Sequence, residues 1–170
     1  MAKLSIVIPC YARHPLSVRH VQECLKSSRL PDEIIVVNDG GTPDLREMLI
    51  SIGTTIPITY ARIEQDILWN YNGAVNLGFW LATGDYVAIE DTDHIPDREL
   101  YKKTLATIEQ RPEIDRWCYK RKCVDVSELI KPMNEWIQTK TWGPNQMVTI
   151  MKRTAYIDLK GQDERFAGNY

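Results

Sequence analysis

The chain has 170 residues, 44% of them hydrophobic and 26% charged, with a formal net charge of −2. That composition is ordinary for a globular protein and long enough to bury a full core as one domain over residues 1–170, and it lacks the basic footprint of a nucleic-acid binder. The apolar run after Met1 is too short for a signal sequence or a membrane span, so the expectation is a cytoplasmic protein, at most peripheral to a membrane. Leu4 to Pro9 is a compact apolar run and is predicted to be the first strand. Pro15 suits the first residue of a following helix, whose Val18, Val21 and Leu25 recur at helical spacing. Glu33 to Val37 is apolar on both faces, as buried parallel strands are. It ends in Asn38-Asp39-Gly40-Gly41, after which Thr42, Pro43 and Asp44 suggest a cap, a first helical residue and an acid placed for the dipole. Leu45, Met48, Leu49 and Ile52 form one apolar face, and Gly53 stops that helix.

Pro57 to Arg62 forms a shorter third strand with Ile58 and Tyr60 inward. Asn70 or Asn72 is expected to cap the next helix, with Ala74, Leu77, Gly78 and Leu81 on one face. Tyr86 to Ile89 is the fourth strand. Strands joined through helices in this way call for a mostly parallel sheet. The second half is less regular: a helix over Asp97 to Gln110, a strand over Trp117 to Val124, a segment Glu135 to Gly143 carrying Trp136 and Trp142, a β-like run from Gln146 to Met151 ahead of Lys152-Arg153, and a polar, turn-like close from Gly161 to Gly168. Lys120-Arg121-Lys122 is expected first to be a solvated strand face, the alternative being a contact with an anionic surface or acceptor. Cys10, Cys24, Cys118 and Cys123 form no CxxC pair and are read as buried free thiols.

The fourth strand ends in Glu90-Asp91-Thr92-Asp93-His94 before Pro96, which cannot continue a central ladder. Carboxylates this close repel, and burial would protonate them unless a cation neutralises them, for which Mg²⁺ or Mn²⁺ with oxygen ligands is suited. The competing reading is a solvated acidic turn. In open α/β sheets ligands bind beyond the carboxyl ends of the strands, so Pro9-Cys10-Tyr11, Asp39 and Asp91 to His94 should face one crevice. A nucleoside diphosphate fits it: Asp39 would accept a hydrogen bond from base or ribose, Tyr11 would pack on the base, and a metal at Asp93 would bridge phosphates. Asp39-Gly40 also suits an ordinary turn, and Tyr11 a half-buried aromatic. No dinucleotide fingerprint, P-loop, HExxH or GxSxG occurs, and His20 is expected to be structural or solvated.

Four segments in order, Ser5 to Tyr11, Glu33 to Thr42, Asn72 to Gly78 and Ala82 to Asp93, resemble the family 2 glycosyltransferases of the GT-A fold, and Leu159 to Phe166 resembles that family's Gly-Gly-Phe-Asp-Glu-x-Phe segment. The resemblance implies a Rossmann-like α/β domain with helices on both faces of a mostly parallel sheet, a mixed second half, a nucleotide-binding half over 1–96 and an acceptor side over 97–170. It implies donor contacts from Pro9, Tyr11, Asp39, Gly40, Asn76 and Asp91, with Asp39 on a uracil and Asp91 on the ribose or sugar. Asp93, with Asp91 and His94, would hold the divalent metal. The implied reaction moves a sugar from a nucleotide-sugar donor, UDP-linked, to a hydroxyl of a glycan, lipid-linked sugar or protein, with inversion.

Three departures stand out: Asn38 replaces the first acid of an Asp-Asp pair, Val75 replaces an Arg, and the family's acidic pair bearing the general base would fall after Tyr170. Asp163 and Glu164 are the nearby substitutes, expected first as cap or acceptor-site residues and only second as base. The alternatives are a truncated domain that binds the donor without efficient transfer, and a dehalogenase-type Mg²⁺ phosphotransferase suggested by Asp91-Thr92-Asp93.

Overall fold

The computed structural model describes residues 2–12, 14–125, 127, 128, 131 and 135–167; Gly168 and Tyr170 of the sequence-predicted tail lie outside them. The elements run β1 (Leu4–Cys10), α1 (His14–Cys24), β2 (Glu33–Asp39), α2 (Arg46–Ile50), β3 (Ile58–Ile63), α3 (Tyr71–Leu81), β4 (Tyr86–Ile89), α4 (Leu100–Gln110), β5 (Arg116–Val124), β6 (Gln138–Lys152) and α5 (Arg153–Asp158), with a closing 3-10 turn at Glu164–Phe166. One six-stranded sheet has the order β3-β2-β1-β4-β6-β5. The first four strands pair in parallel, and β6 lies antiparallel to both β4 and β5. Since β4 and β5 both oppose β6, they point the same way, and the carboxyl end of β5 reaches the sheet edge where β1, β2 and β4 end.

Strand alternation divides the core in two. Leu4, Ile6, Ile8, Ile34, Val36, Tyr86, Ala88 and Ile150 pack under Val21 and Cys24 of α1, Leu49 of α2 and Tyr101, Leu105 and Ile108 of α4. On the other face, Val7, Ile35, Val37, Val87, Ile89 and Met151 meet Ala74, Val75 and Phe79 of α3 and Tyr156 of α5. Phe79 and Tyr156 stack with centroids 3.6 Å apart, which fixes α5 against α3. Helix α3 lies close on the sheet because Gly78 has no side chain; a Cβ there would sit 2.2 Å from Val7 Cγ1.

Several sequence expectations are corrected. The second helix begins at Arg46 rather than Pro43; Leu45 holds the cap position without a side-chain cap bond, and Asp44 before it accepts the N–H of Arg46 at 2.8 Å. Residues 138–152 form a single long strand where a segment and a separate run were expected, and the short helix α5 after it was not anticipated. Among the described residues no helix is long and apolar enough to cross a membrane.

Candidate functional site

The chain passes from β1 outward through β2 and β3 and then crosses to β4 on the other side of β1, so the sheet's switch point lies between β1 and β4. Ligands of such sheets bind in that crevice. On one side of it stands Asp39, the last residue of β2 and only 5% exposed. Its Oδ1 accepts from Asn70 Nδ2 at 3.0 Å. Desolvation raises its pKa, and the Asn70 amide opposes that rise. Asn70 or Asn72 was expected to cap α3; Asn70 holds the cap position, but its side chain makes no cap bond and serves Asp39 instead. Gly40, at φ +76°, brings the segment after β3 close, since a Cβ there would lie 2.7 Å from Asp66 Cα. Asp66 in turn accepts from the Tyr11 hydroxyl at 3.3 Å, leaving Tyr11 47% exposed over the crevice. Pro9 is buried inside β1 beside Val37, so it forms wall rather than surface.

On the other side, β4 stops and Asp91–His94 forms a tight turn closed by His94 N–H donating to the Asp91 carbonyl at 3.1 Å. The turn gathers Asp91, Asp93 and His94, whose ligand atoms lie within 4.8 Å of one another. Asp91 Oδ1 accepts from the Tyr71 hydroxyl at 3.3 Å. Desolvation, then the charge of Asp93, pushes the Asp91 carboxyl up to about 6, while Tyr71 and Arg121 pull it down. Burial holds the His94 pKa below the usual imidazole value, with Asp93 opposing and Arg121 assisting. His94 Nδ1 is buried without a hydrogen-bond partner among the described residues, although it faces Asp91 Oδ2 at 3.7 Å and Asp93 Oδ1 at 3.9 Å. An orphaned ring nitrogen beside two carboxylates is a donor set that fits a divalent cation.

Glu90, the third acid of the sequence motif, is not part of this set. It is 2% exposed and turns into the core, where Oε2 meets His20 Nε2 at 2.8 Å and Oε1 accepts from the Tyr101 hydroxyl at 2.7 Å. His20 Nδ1 donates to the His94 carbonyl at 2.6 Å, and Cys24 Sγ lies 4.0 Å from Glu90. Desolvation opposes charge on His20, but Cys24 and Glu90 overcome it and raise its pKa. His20 is therefore structural, as expected, but it braces the two ends of the Asp91–His94 turn.

Other expected site residues go elsewhere. All four hydrogen-bonding positions of the Asn76 amide are taken by residues 156–164: Oδ1 accepts from Tyr156 and from Gln162 N–H, and Nδ2 donates to the Gln162 carbonyl and to Glu164. That leaves Asn76 nothing to offer a nucleotide and makes it the anchor of the tail. Asp163 caps the 3-10 turn and forks onto the Arg165 guanidinium, whose hydrogen bonds hold its carboxyl down at about 2. Asp163 and Glu164 thus act as cap and tether. Asn70, Tyr71 and Arg121 carry site contacts that the sequence reading did not assign. Lys120 and Lys122 are exposed as expected, but Arg121 between them faces inward.

The family model of glycosyl transferase family 2 matches residues 5–162. The chain belongs to that family. Among relatives of this family 2 glycosyltransferase, an uncharacterised glycosyltransferase of Haemophilus influenzae is 33% identical over 118 residues, covering 65% of the chain and 42% of the relative. A chondroitin synthase of Escherichia coli is 33% identical over 95 residues, 55% of the chain and 14% of the synthase. Among solved structures, S. aureus TarS with UDP superimposes with a TM-score of 0.77 at 16% identity, over 98% of the chain and 52% of TarS. A Pyrobaculum calidifontis mannosyltransferase in complex with GDP-Man and Mn²⁺ does so at 0.71 and 18% identity, over 96% of the chain and 48% of that protein. These likenesses establish the GT-A fold, and the chain spans half or less of most of these proteins. The family match, and the position of Asp91 and Asp93 after β4 rather than the first strand, speak against the phosphotransferase reading.

Proposed function

We propose that this family 2 domain transfers a sugar from a nucleotide-sugar donor, UDP-linked, to an acceptor hydroxyl with inversion, assisted by Mn²⁺ or Mg²⁺. The observation that carries the reading is the pair of polar anchors on either side of β1: buried Asp39 at the end of β2 and the Asp91–His94 turn after β4. With β1 between them, the two strand ends are roughly 10 Å apart, a spacing suited to a base at one end and a diphosphate at the other. Asp39, held by Asn70, accepts a hydrogen bond from the base, and Tyr11 packs on its face. Tyr71 fixes Asp91 against the ribose or sugar. Asp91, Asp93 and His94 would hold the metal, which when bound supplies the positive charge that neutralises the departing diphosphate. In the reaction the acceptor oxygen bonds to the anomeric carbon, the diphosphate leaves with the electron pair of the broken C–O bond, and the hydroxyl proton passes to a carboxylate; one displacement inverts the centre. A second reading, donor binding without efficient transfer, draws on the engagement of Asp163 and Glu164 with Arg165 and Asn76.

Calorimetry with UDP, with and without Mn²⁺, tests the site. Asp93→Ala is expected to abolish the metal-dependent part of binding. Asp39→Ala is expected to weaken UDP under both conditions by about 10- to 100-fold, the worth of a charge-assisted hydrogen bond. If Asp39→Ala binds UDP like the wild type, the base has been placed on the wrong anchor.

A further inference from the structure

Arg121 stands where a cation makes little sense in a protein that binds only a metal. Its strand, β5, alternates Trp117 and Tyr119 toward the core and Lys120 and Lys122 toward solvent, and Arg121 continues the inward series at the edge where the site lies. Register shifts between Cys118 and Tyr119 and between Lys120 and Arg121 loosen the ladder there. Arg121 Nη1 lies 3.4 Å from His94 Nε2, and Arg121 Nε is buried with no partner among the described residues. Among the described residues the guanidinium thus meets the site through one long contact to a ring nitrogen and its charge attraction to Asp91, and its Nε is left without a partner. A neutral imidazole has a single lone-pair nitrogen. If Nε2 accepts from Arg121, Nδ1 carries the proton; when Nδ1 binds a cation, the proton sits on Nε2 and Arg121 loses its acceptor. A guanidinium beside a divalent ion is then repelled unless an anion lies between them.

We infer that Arg121 is a diphosphate-binding residue of the donor site, parked on His94 in the free protein and engaging phosphate oxygens through its fork when donor and metal are bound. This rests on the nucleotide-sugar reading above. A planar fork matches two phosphate oxygens in a way that a lysine does not. The residue therefore helps stabilise the charge on the leaving group and selects donors that carry two phosphates.

The test is titration calorimetry with UDP and UMP at saturating Mn²⁺, with GDP and GMP in parallel, and with Mn²⁺ alone. Arg121→Ala is expected to weaken UDP by about 10- to 100-fold while UMP affinity is unchanged and Mn²⁺ alone binds as well or more tightly, because a competing cation has gone. Arg121→Lys should recover part of the UDP affinity. Arg121→Gln, which keeps a polar amide and the first three side-chain carbons without the charge, is read like the alanine variant should the latter fail to fold. An unchanged preference for UDP over UMP in Arg121→Ala overturns the inference alone, as does an equal loss for both ligands. Failure of the wild type to bind any of these nucleotides overturns the nucleotide-sugar reading and the inference with it.

Discussion

A glutamate at the last buried position after β4 costs the fold unless each oxygen finds a partner, and here His20 and Tyr101 supply them. Breaking such a buried pair on one side strands a charge and typically costs about 3–5 kcal/mol, whereas replacing both partners by apolar residues is often close to neutral. His20→Leu should therefore destabilise strongly in urea denaturation, and adding Glu90→Leu should recover most of the loss; simple additivity of the two would show that the residues are not coupled. The sequence offered a signal for this role that proximity obscured. Glu90 precedes Asp91 and Asp93 as one more acid in the motif, yet alternation puts it on the face of Tyr86 and Ala88, toward α1 and α4.

The same alternation explains most of what the elements do at the site. Asp39 extends the Ile35 and Val37 face and meets Asn70 at the start of α3; Asp91 extends the Val87 and Ile89 face and meets Tyr71, the next residue of that helix. One helix start thus serves both anchors. The strands β1, β2 and β4 were legible because they are continuous apolar runs, whereas the helix faces were legible only in part: α3 buries Val75 and Phe79 beside Ala74 and Gly78 and leaves Leu77 and Leu81 half-buried, and Met48 beside α2's buried Leu49 is exposed. What was not legible depends on contacts distant in sequence: Asn70 serves an aspartate 31 residues earlier instead of its own helix, and the three bases at 120–122 resemble one solvated cluster until the strand separates them. Helix α3 can approach both anchors only because Gly78 lets it lie on Val7. Gly78→Ala is expected to destabilise by about 1–3 kcal/mol through overpacking, despite the better helix propensity of alanine. Combining it with Val7→Ala should restore most of that stability in chemical denaturation; no recovery would place the strain elsewhere.

At the scale of the whole molecule, the two anchors sit on separate parallel strands flanking β1, with Arg121 on the antiparallel side, so a donor spanning them ties the two parts of the sheet together. Such a ligand stabilises the folded state by mass action, about 2.7 kcal/mol at 100 times its Kd. For a chain of this size that corresponds to a rise of about 5–10 °C in Tm. The location of the effect matters more than its size, because the surface offers a competing place: an open hollow of about 520 Å³ beside the tail, lined by residues that include Asn76, Leu159, Gly161 and Glu164. That hollow sets the acids Asp163 and Glu164 against the bases Lys160 and Arg165, with Arg165 already forked onto Asp163 and the Asn76 amide saturated, so it offers an anionic diphosphate no net positive charge. Hydrogen exchange with UDP and Mn²⁺ should therefore slow at residues 39–41, 66–71 and 91–94 and leave 159–165 unchanged. Protection concentrated at 159–165 would move the donor to the tail and remove the basis for assigning Asp39 and Asp93 their roles.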